Sequence, residues 1–225
     1  MPSSTSSFDR VIPVLPWGGI VLAVTLLTGA AVVAWEVHAR SAGYIPTLND
    51  TNDVWADRRE AVQPDSIVII GDSRALFDTD LDEIEKGLGK RPVQLALVGS
   101  CAYPILANLA DDETFHGTVI CSLLPAIYLA PGGPPVANSE KALKRYRTRT
   151  VAQRASNGIG LWLEERIAFL KEEDLTLGAL LKHVNLPNRP GALLPPQLPP
   201  YFSTMDRERR TRMAEACAFP SPLQD

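Results

Sequence analysis

The chain has one serine in a setting that is typical of a nucleophile. The apolar run Ser66–Ile70 predicts a buried strand, and the tripeptide Gly71–Ser73 follows it directly. In an open parallel sheet, ligands bind beyond the carboxyl ends of the strands, where side chains emerge onto exposed turns. A serine hydroxyl there can attack an acyl carbon if a base accepts its proton and N–H groups hold the oxyanion. The spacing therefore predicts Ser73 as a nucleophile and Asp72 as a residue that stabilises the turn or orients the site.

A glycine lies at the corresponding place after the second apolar run, Val93–Val98. Because Gly99 has no side chain, its N–H can approach a reacting carbonyl oxygen closely. Beside the serine, we expect a turn-stabilising Asp72 and a solvated Arg74, with a local ion pair or a role in orienting substrate as the alternatives. The two strand ends together therefore offer a hydroxyl and a bare backbone N–H to one ligand.

None of the three histidines is placed to act as the base. His116 precedes the third apolar run, so in a parallel sheet it lies at the opposite edge, about 16 Å from Ser73. His183 belongs to an amphipathic segment, and His38 adjoins the longest apolar stretch of the chain. We therefore leave the general base unassigned, and the sequence indicates no metal site and no cofactor.

Three short, uncharged runs predict the strands that position these residues: Ser66–Ile70, Val93–Val98 and Thr118–Leu123. Helical patterns separate them. Asp80 can cap one helix, and a second helix is expected over Tyr103–Ala110. This alternation predicts an α/β fold with a parallel sheet, right-handed crossovers and helices on both faces.

A membrane anchor is predicted near the amino terminus, where the stretch Val11–Trp35 carries no charge. Its core, Trp17–Ala34, is long enough to cross about 30 Å of hydrocarbon as a helix. Tryptophans at the two ends suit the membrane interfaces. A cleaved signal peptide is the alternative, but its apolar region is usually only about 7–15 residues. We therefore predict a single-pass anchor.

The composition fits one globular domain with appendages. The chain has 225 residues, is 45% hydrophobic and carries a net charge of −4, which argues against a general nucleic-acid binder. Ser139 can cap a basic helix, broken at Asn157–Gly158, that is either solvated or docked on anionic lipid head groups. A last helix is expected from Ser203 or Thr204. We divide the chain into a tail (1–10), the anchor (11–35), a juxtamembrane spacer with one short helix (36–63), an α/β core (64–130) and a helical, proline-rich region (131–225).

Over about Ser66–Pro125, the chain resembles the SGNH/GDSL hydrolase superfamily, whose members are mostly lipases, esterases, carbohydrate deacetylases and O-acyltransferases. The resemblance implies that Ser73 is the nucleophile and that the N–H groups of Ser73 and Gly99 form the oxyanion hole. It also implies a flavodoxin-like three-layer α/β/α sandwich, usually with five parallel strands. In a flavodoxin-like strand order, Cys101 and Cys121 lie on opposite sides of the first strand. They are then about 10 Å apart, too far for a disulfide, so we expect free thiols.

The Gly-Asp-Ser-Arg sequence, together with the anchor, is most similar to membrane-bound bacterial members, some of which act on cell-envelope polysaccharide. Two parts of the family pattern are absent, however. Ser122, Leu123 and Leu124 stand where the third block has Gly-x-Asn, and no Asp-x-x-His occurs near the carboxyl end. We therefore expect a shortened chain with an incomplete, three-stranded sheet whose edges are unpaired.

Two functions fit these observations. The first is a membrane-anchored relative of serine acyl-hydrolases or O-acyltransferases that acts on an ester of a cell-envelope glycan or lipid. The second is a non-catalytic anchored module that binds a partner or a glycan, because a serine without its base is a poor nucleophile. In both cases we expect a bacterial inner-membrane protein with a periplasmic soluble part, the lipid bilayer as a partner, and neither nucleic acid nor cofactor.

Overall fold

The structure is a computed structural model that describes residues 17–129, 132–170 and 203–213. It is a mixed α/β domain with one long amino-terminal helix. The helices are α1 (Trp17–Ser41), α2 (Asn52–Glu60), α3 (Ser73–Phe77), α4 (Leu81–Leu88), α5 (Ala102–Ala110), α6 (Pro125–Tyr128), α7 (Pro134–Thr148) and α8 (Val151–Glu164), with a 3₁₀ turn at Ala168–Leu170. The strands are β1 (Ile67–Ile70), β2 (Val93–Gln94), β3 (Thr118–Cys121), β4 (Ser203–Met205) and β5 (Thr211–Met213).

The first three strands form the predicted parallel sheet. β1 is central, with β2 on one side and β3 on the other. β2 is shorter than the predicted run Val93–Val98, but the N–H groups of Leu95 and Leu97 still donate to the carbonyls of Ile69 and Gly71, at 2.8 and 3.1 Å. The chain after β2 therefore stays beside β1 up to the turn that carries Ser73. The larger five-stranded sandwich stays a prediction.

The side chains of β1 alternate between two apolar clusters. Val68 and Ile70 pack against residues of α2, α5 and α7 on one face. Ile69 packs against α3 and α4 on the other face. Helices thus cover both faces of the central strand, which is why its residues read as a continuous apolar run.

The segment predicted to be a spacer contributes to the core. Its short helix is present as α2, and Trp55 of this helix is fully buried, with its indole Nε1 donating to the Leu95 carbonyl at 2.8 Å. On the same helix, Asp57 binds the guanidinium of Arg149, whose side chain is completely shielded from solvent. The spacer prediction is therefore wrong, because α2 packs along α7 and over the sheet.

The predicted boundaries of the basic helix are also wrong. Ser139 lies inside α7, where its hydroxyl donates to the Cys101 carbonyl at 2.5 Å. The break comes at Thr150, which forms a capping box with the residue three positions later and starts α8. α8 then continues through Asn157–Gly158, because the Asn157 amide donates to the Asp57 carboxylate at 2.6 Å and offsets a poor helical sequence.

The residues predicted to open a last helix form an antiparallel β-hairpin, β4 and β5, instead. At its turn, Arg209 is fully buried and has a left-handed backbone, with φ 57°. Its guanidinium donates to the Ala96 carbonyl at 2.8 Å and binds the Asp50 carboxylate at 2.8 Å. Since Leu95 and Leu97 bond to β1, the carbonyl between them faces away from the sheet. The hairpin therefore covers the outer side of β2.

α1 is long and apolar enough to cross a membrane, and its apolar window lies outside the core. It ends at Ser41, later than the predicted Trp35. The predicted start at Val11 lies outside the described residues, as do His183, Cys217 and the proline-rich segment 187–200.

Candidate functional site

Ser73 is the first residue of α3 and follows the central strand through a sharp turn. Gly71 makes the turn possible, because a Cβ there would lie 2.8 Å from the Cβ of Ala75 and 2.9 Å from the Cβ of Ser122. As the first helical residue, Ser73 has an N–H without an acceptor inside the helix. Its partly exposed hydroxyl makes no hydrogen bond with any residue of the described part of the chain. The predicted nucleophile therefore has both its hydroxyl and its N–H available to a ligand.

Asp72 is the N-cap of α3 and is almost completely buried. Its carboxylate accepts from the Arg74 N–H at 3.0 Å, so its predicted role in the turn is present. It also pairs with the Arg74 guanidinium at 3.1 Å, so the expectation of a solvated arginine is wrong and the alternative of a local ion pair is found. These bonds stabilise the turn through the free N–H groups at the helix start. Asp72 is therefore engaged with its own helix rather than with the hydroxyl of Ser73.

A small cleft with room for about 10 Å³, close to the space of one water molecule, lies where the three parallel strands end. Its polar lining comes from one residue after each strand, namely Asp72, Ser100 and Ser122. Tyr128 and Ile127 of α6 form part of the opposite wall. Ser100 is buried and donates to the Leu97 carbonyl at 2.9 Å. The cleft therefore presents hydroxyl and carboxylate groups in a space that suits one small polar group of a ligand.

Gly99 lies in the turn directly before Ser100 and has a left-handed backbone, with φ 60°. Its carbonyl accepts from the Asn138 side-chain amide at 2.9 Å, while its own N–H bonds to no described residue. Gly99 and Ser73 do not line the cleft themselves and lie beside it, each in the loop that supplies one of its polar residues. The geometry thus leaves a bare N–H at the place the sequence predicts, with an asparagine amide holding the turn.

No base reaches Ser73 within the described residues. His116 precedes β3, as predicted at the opposite edge of the sheet, and its ring Nδ1 lies 3.0 Å from the Thr114 carbonyl. His38 is on α1, with its ring centroid 5.4 Å from that of Trp35. The described residues also contain no cluster of three His, Cys, Asp or Glu side chains that could hold a metal ion.

The two cysteines near the cleft are free thiols, as predicted. Cys101 is buried and Cys121 is partly buried at the end of β3. Burial, with a smaller contribution from Cys101, raises the pKa of the Cys121 thiol above its ordinary value. A thiol with a raised pKa holds less thiolate at neutral pH, so it is a poor competitor for the role predicted for Ser73.

The sequence did not identify Ser100, Tyr128 or Asn138 as members of this region. Ser100 had a usable signal, because it follows a strand-ending glycine as Asp72 does. Asn138 had none, since it comes from α7 and reaches Gly99 across a long loop.

No protein-family model, no curated protein and no solved structure matches this chain. The resemblance to SGNH/GDSL hydrolases therefore depends on the local residues around Ser73 and Gly99, and it stays a prediction.

Proposed function

We propose that the domain is a membrane-anchored serine acyl-hydrolase or O-acyltransferase that acts on an ester of a bacterial cell-envelope glycan or lipid, on the periplasmic side of the inner membrane. The observation that carries the proposal is the position of Ser73. It begins a helix at the carboxyl end of the central strand, and its hydroxyl and N–H are both unengaged within the described residues.

In this reaction the Ser73 Oγ forms a bond to the acyl carbon while its proton passes to a base. The N–H groups of Ser73 and Gly99 stabilise the oxyanion, and the proton then moves to the alcohol oxygen as its bond to the acyl carbon breaks. Water, or an acceptor hydroxyl, removes the acyl group by the same steps. Because no described base contacts Ser73, the proposal requires one from elsewhere in the chain.

The lack of a base at Ser73 among the described residues also supports a second function. Asp72 is engaged with Arg74, and His116 lies at the other edge of the sheet. Without a base, the cleft can still bind a polar group through Ser100 and Ser122. The domain would then be a non-catalytic anchored module that recognises a glycan or a partner.

Labelling of the full chain in lipid nanodiscs with a fluorophosphonate probe distinguishes the two functions, because such probes react only with an activated serine. For acyl transfer we expect stoichiometric labelling at Ser73 and none in Ser73→Ala. Ser156→Ala is the control, since this exposed serine of α8 lies outside the cleft and should not alter labelling. For acetyl-ester hydrolysis we expect Ser73→Ala to lower turnover by about 10³-fold or more. A folded chain whose Ser73 remains unlabelled would favour the binding module.

A further inference from the structure

The end of α1 is attached to the segment that follows α8. The Glu36 carboxylate accepts from the N–H groups of Ala168 and Phe169, at 3.0 and 3.2 Å. One turn later, the Arg40 guanidinium donates to the Arg166 carbonyl at 2.9 Å. Glu36 is the first charged residue after the apolar part of α1. Residues 166–169 therefore lie at the level where the apolar part of the anchor ends.

An exposed apolar stripe runs along α8 toward this junction. Val151, Ile159 and Trp162 are 83%, 63% and 50% exposed, and their spacing places them on one face of the helix. The helix is fixed to the domain by other residues, since Leu161 is buried in a small cluster with Leu48. The stripe is therefore not needed for packing within the described fold.

Arg166 connects the stripe to the anchor. Its guanidinium lies 4.5 Å from the centre of the Trp162 ring and donates to the Trp162 carbonyl at 2.8 Å. The same residue accepts the hydrogen bond from Arg40 of α1. Tryptophan and arginine are the residues that anchor a protein at the membrane interface, the first by its amphipathic ring and the second by extending its charge toward head groups.

We propose that the apolar stripe of α8 (Val151, Ile159 and Trp162) lies in the lipid interface, with Trp162 at the boundary of the acyl chains and Arg166 at the phosphates. The bilayer is the occupant because Trp162, at one end of the stripe, is joined through Arg166 to the end of the anchor. The basic helix α7 is less suited to docking on lipid head groups, because its Arg145 binds Asp53 of α2. This inference rests on α1 as a membrane anchor and requires no chemistry at Ser73.

The test measures the fluorescence of Trp162 in the full chain, in nanodiscs of phosphatidylcholine and phosphatidylglycerol. The difference between wild type and Trp162→Phe isolates its emission from that of the other tryptophans. Lipids brominated near the head group should quench about half or more of this emission, as expected for a ring within about 5–10 Å of the interface. Aqueous iodide should quench it weakly. Strong iodide quenching without bromine quenching would overturn the proposal, and so would protection from both quenchers, which indicates a protein cover.

A matched pair of variants tests the stripe itself. Ile159→Asp places a charge on the stripe, and we expect it to reduce bromine quenching of Trp162 and to raise iodide quenching. Ser156→Asp adds the same charge to an exposed position of α8 beside the stripe, and it should leave both unchanged. Equal effects of the two substitutions would contradict the proposal. Because neither residue belongs to the Ser73 region, fluorophosphonate labelling should be the same in both variants whatever the fluorescence shows.

Discussion

The outer edges of the parallel sheet, on β2 and on β3, differ in how they are covered. Beyond β2, the β4–β5 hairpin lies against the sheet, and the buried guanidinium of Arg209 satisfies the outward carbonyl of Ala96. Beyond β3, no strand pairs in the described part of the chain, and Ile120 is 38% exposed. A cation therefore covers the outer edge of β2, whereas no strand of the described part of the chain pairs with the outer edge of β3.

The contrast shows how an edge can be covered without adding a strand to the sheet. An edge strand presents carbonyls and N–H groups that would otherwise pair with another chain. A guanidinium has five donors in a fixed plane, so Arg209 can bind two backbone carbonyls and the Asp50 carboxylate together. Among the described residues, the outer edge of β3 has no comparable side chain bound to its backbone.

Arg209→Ala should have the largest effect, because it removes the closure of β2. The substitution leaves the carbonyls of Gln94 and Ala96 and the Asp50 carboxylate without their partner, and breaking such a buried pair costs about 3–5 kcal/mol. Chemical denaturation of the full chain in nanodiscs would measure the loss. Arg212→Ala is the control on the same hairpin, since this exposed arginine pairs with Asp82 and should change the free energy of unfolding by about 0–1 kcal/mol. Similar losses in both variants would contradict the special role of Arg209.

Lysine substitutions on β3 compare the two faces of this edge strand, because successive side chains point to opposite faces of the sheet. Val119 packs against the core, so Val119→Lys should lower the free energy of unfolding by about 2 kcal/mol or more. Ile120 is exposed, so Ile120→Lys should change it by only about 0.5 kcal/mol. Light scattering should show less self-association of Ile120→Lys, because a charge on an edge strand opposes pairing. Equal destabilisation by both lysines would mean that the face of β3 around Ile120 is also covered.

Local signals account for the parts of this fold that the sequence predicted. The strand ending at Gly71 is a continuous apolar run, and the helix capped by Asp80 ends at Gly89, which has the left-handed φ of 71° typical of a helix end. The turn at Ser73 is also determined locally, because its glycine, its capping aspartate and its serine are adjacent in the chain. In each case, the residues that decide the structure lie within a few positions of it.

The parts that could not be predicted depend on contacts between distant residues. Trp55 lies in a polar stretch, and its burial requires α7 and the chain after β2 to be in place. The β4–β5 hairpin has short strands without an apolar run, and Arg209 is held by Asp50 and Ala96 from far earlier in the chain. The candidate site also contains a part that local sequence does not determine, because Asn138 reaches Gly99 only through the packing of α7.

The smallest expected effect is on stability in acid, and it concerns the Asp82 carboxylate of α4, which pairs with arginines of the hairpin. Asp82 pairs with Arg91, Arg210 and Arg212, and the hydrogen bond from Arg91, followed by the charge of Arg210, lowers the pKa of this carboxyl below its ordinary value. A group with a lowered folded-state pKa stabilises the fold above its unfolded-state pKa, about 3.9, and this contribution is lost as the pH falls through the lower value. The free energy of unfolding should therefore decline below about pH 4, and Asp82→Asn should make that decline shallower. Denaturation curves across this pH range would measure it. Identical declines in wild type and Asp82→Asn would mean that Arg209 closes the β2 side without help from the exposed charges.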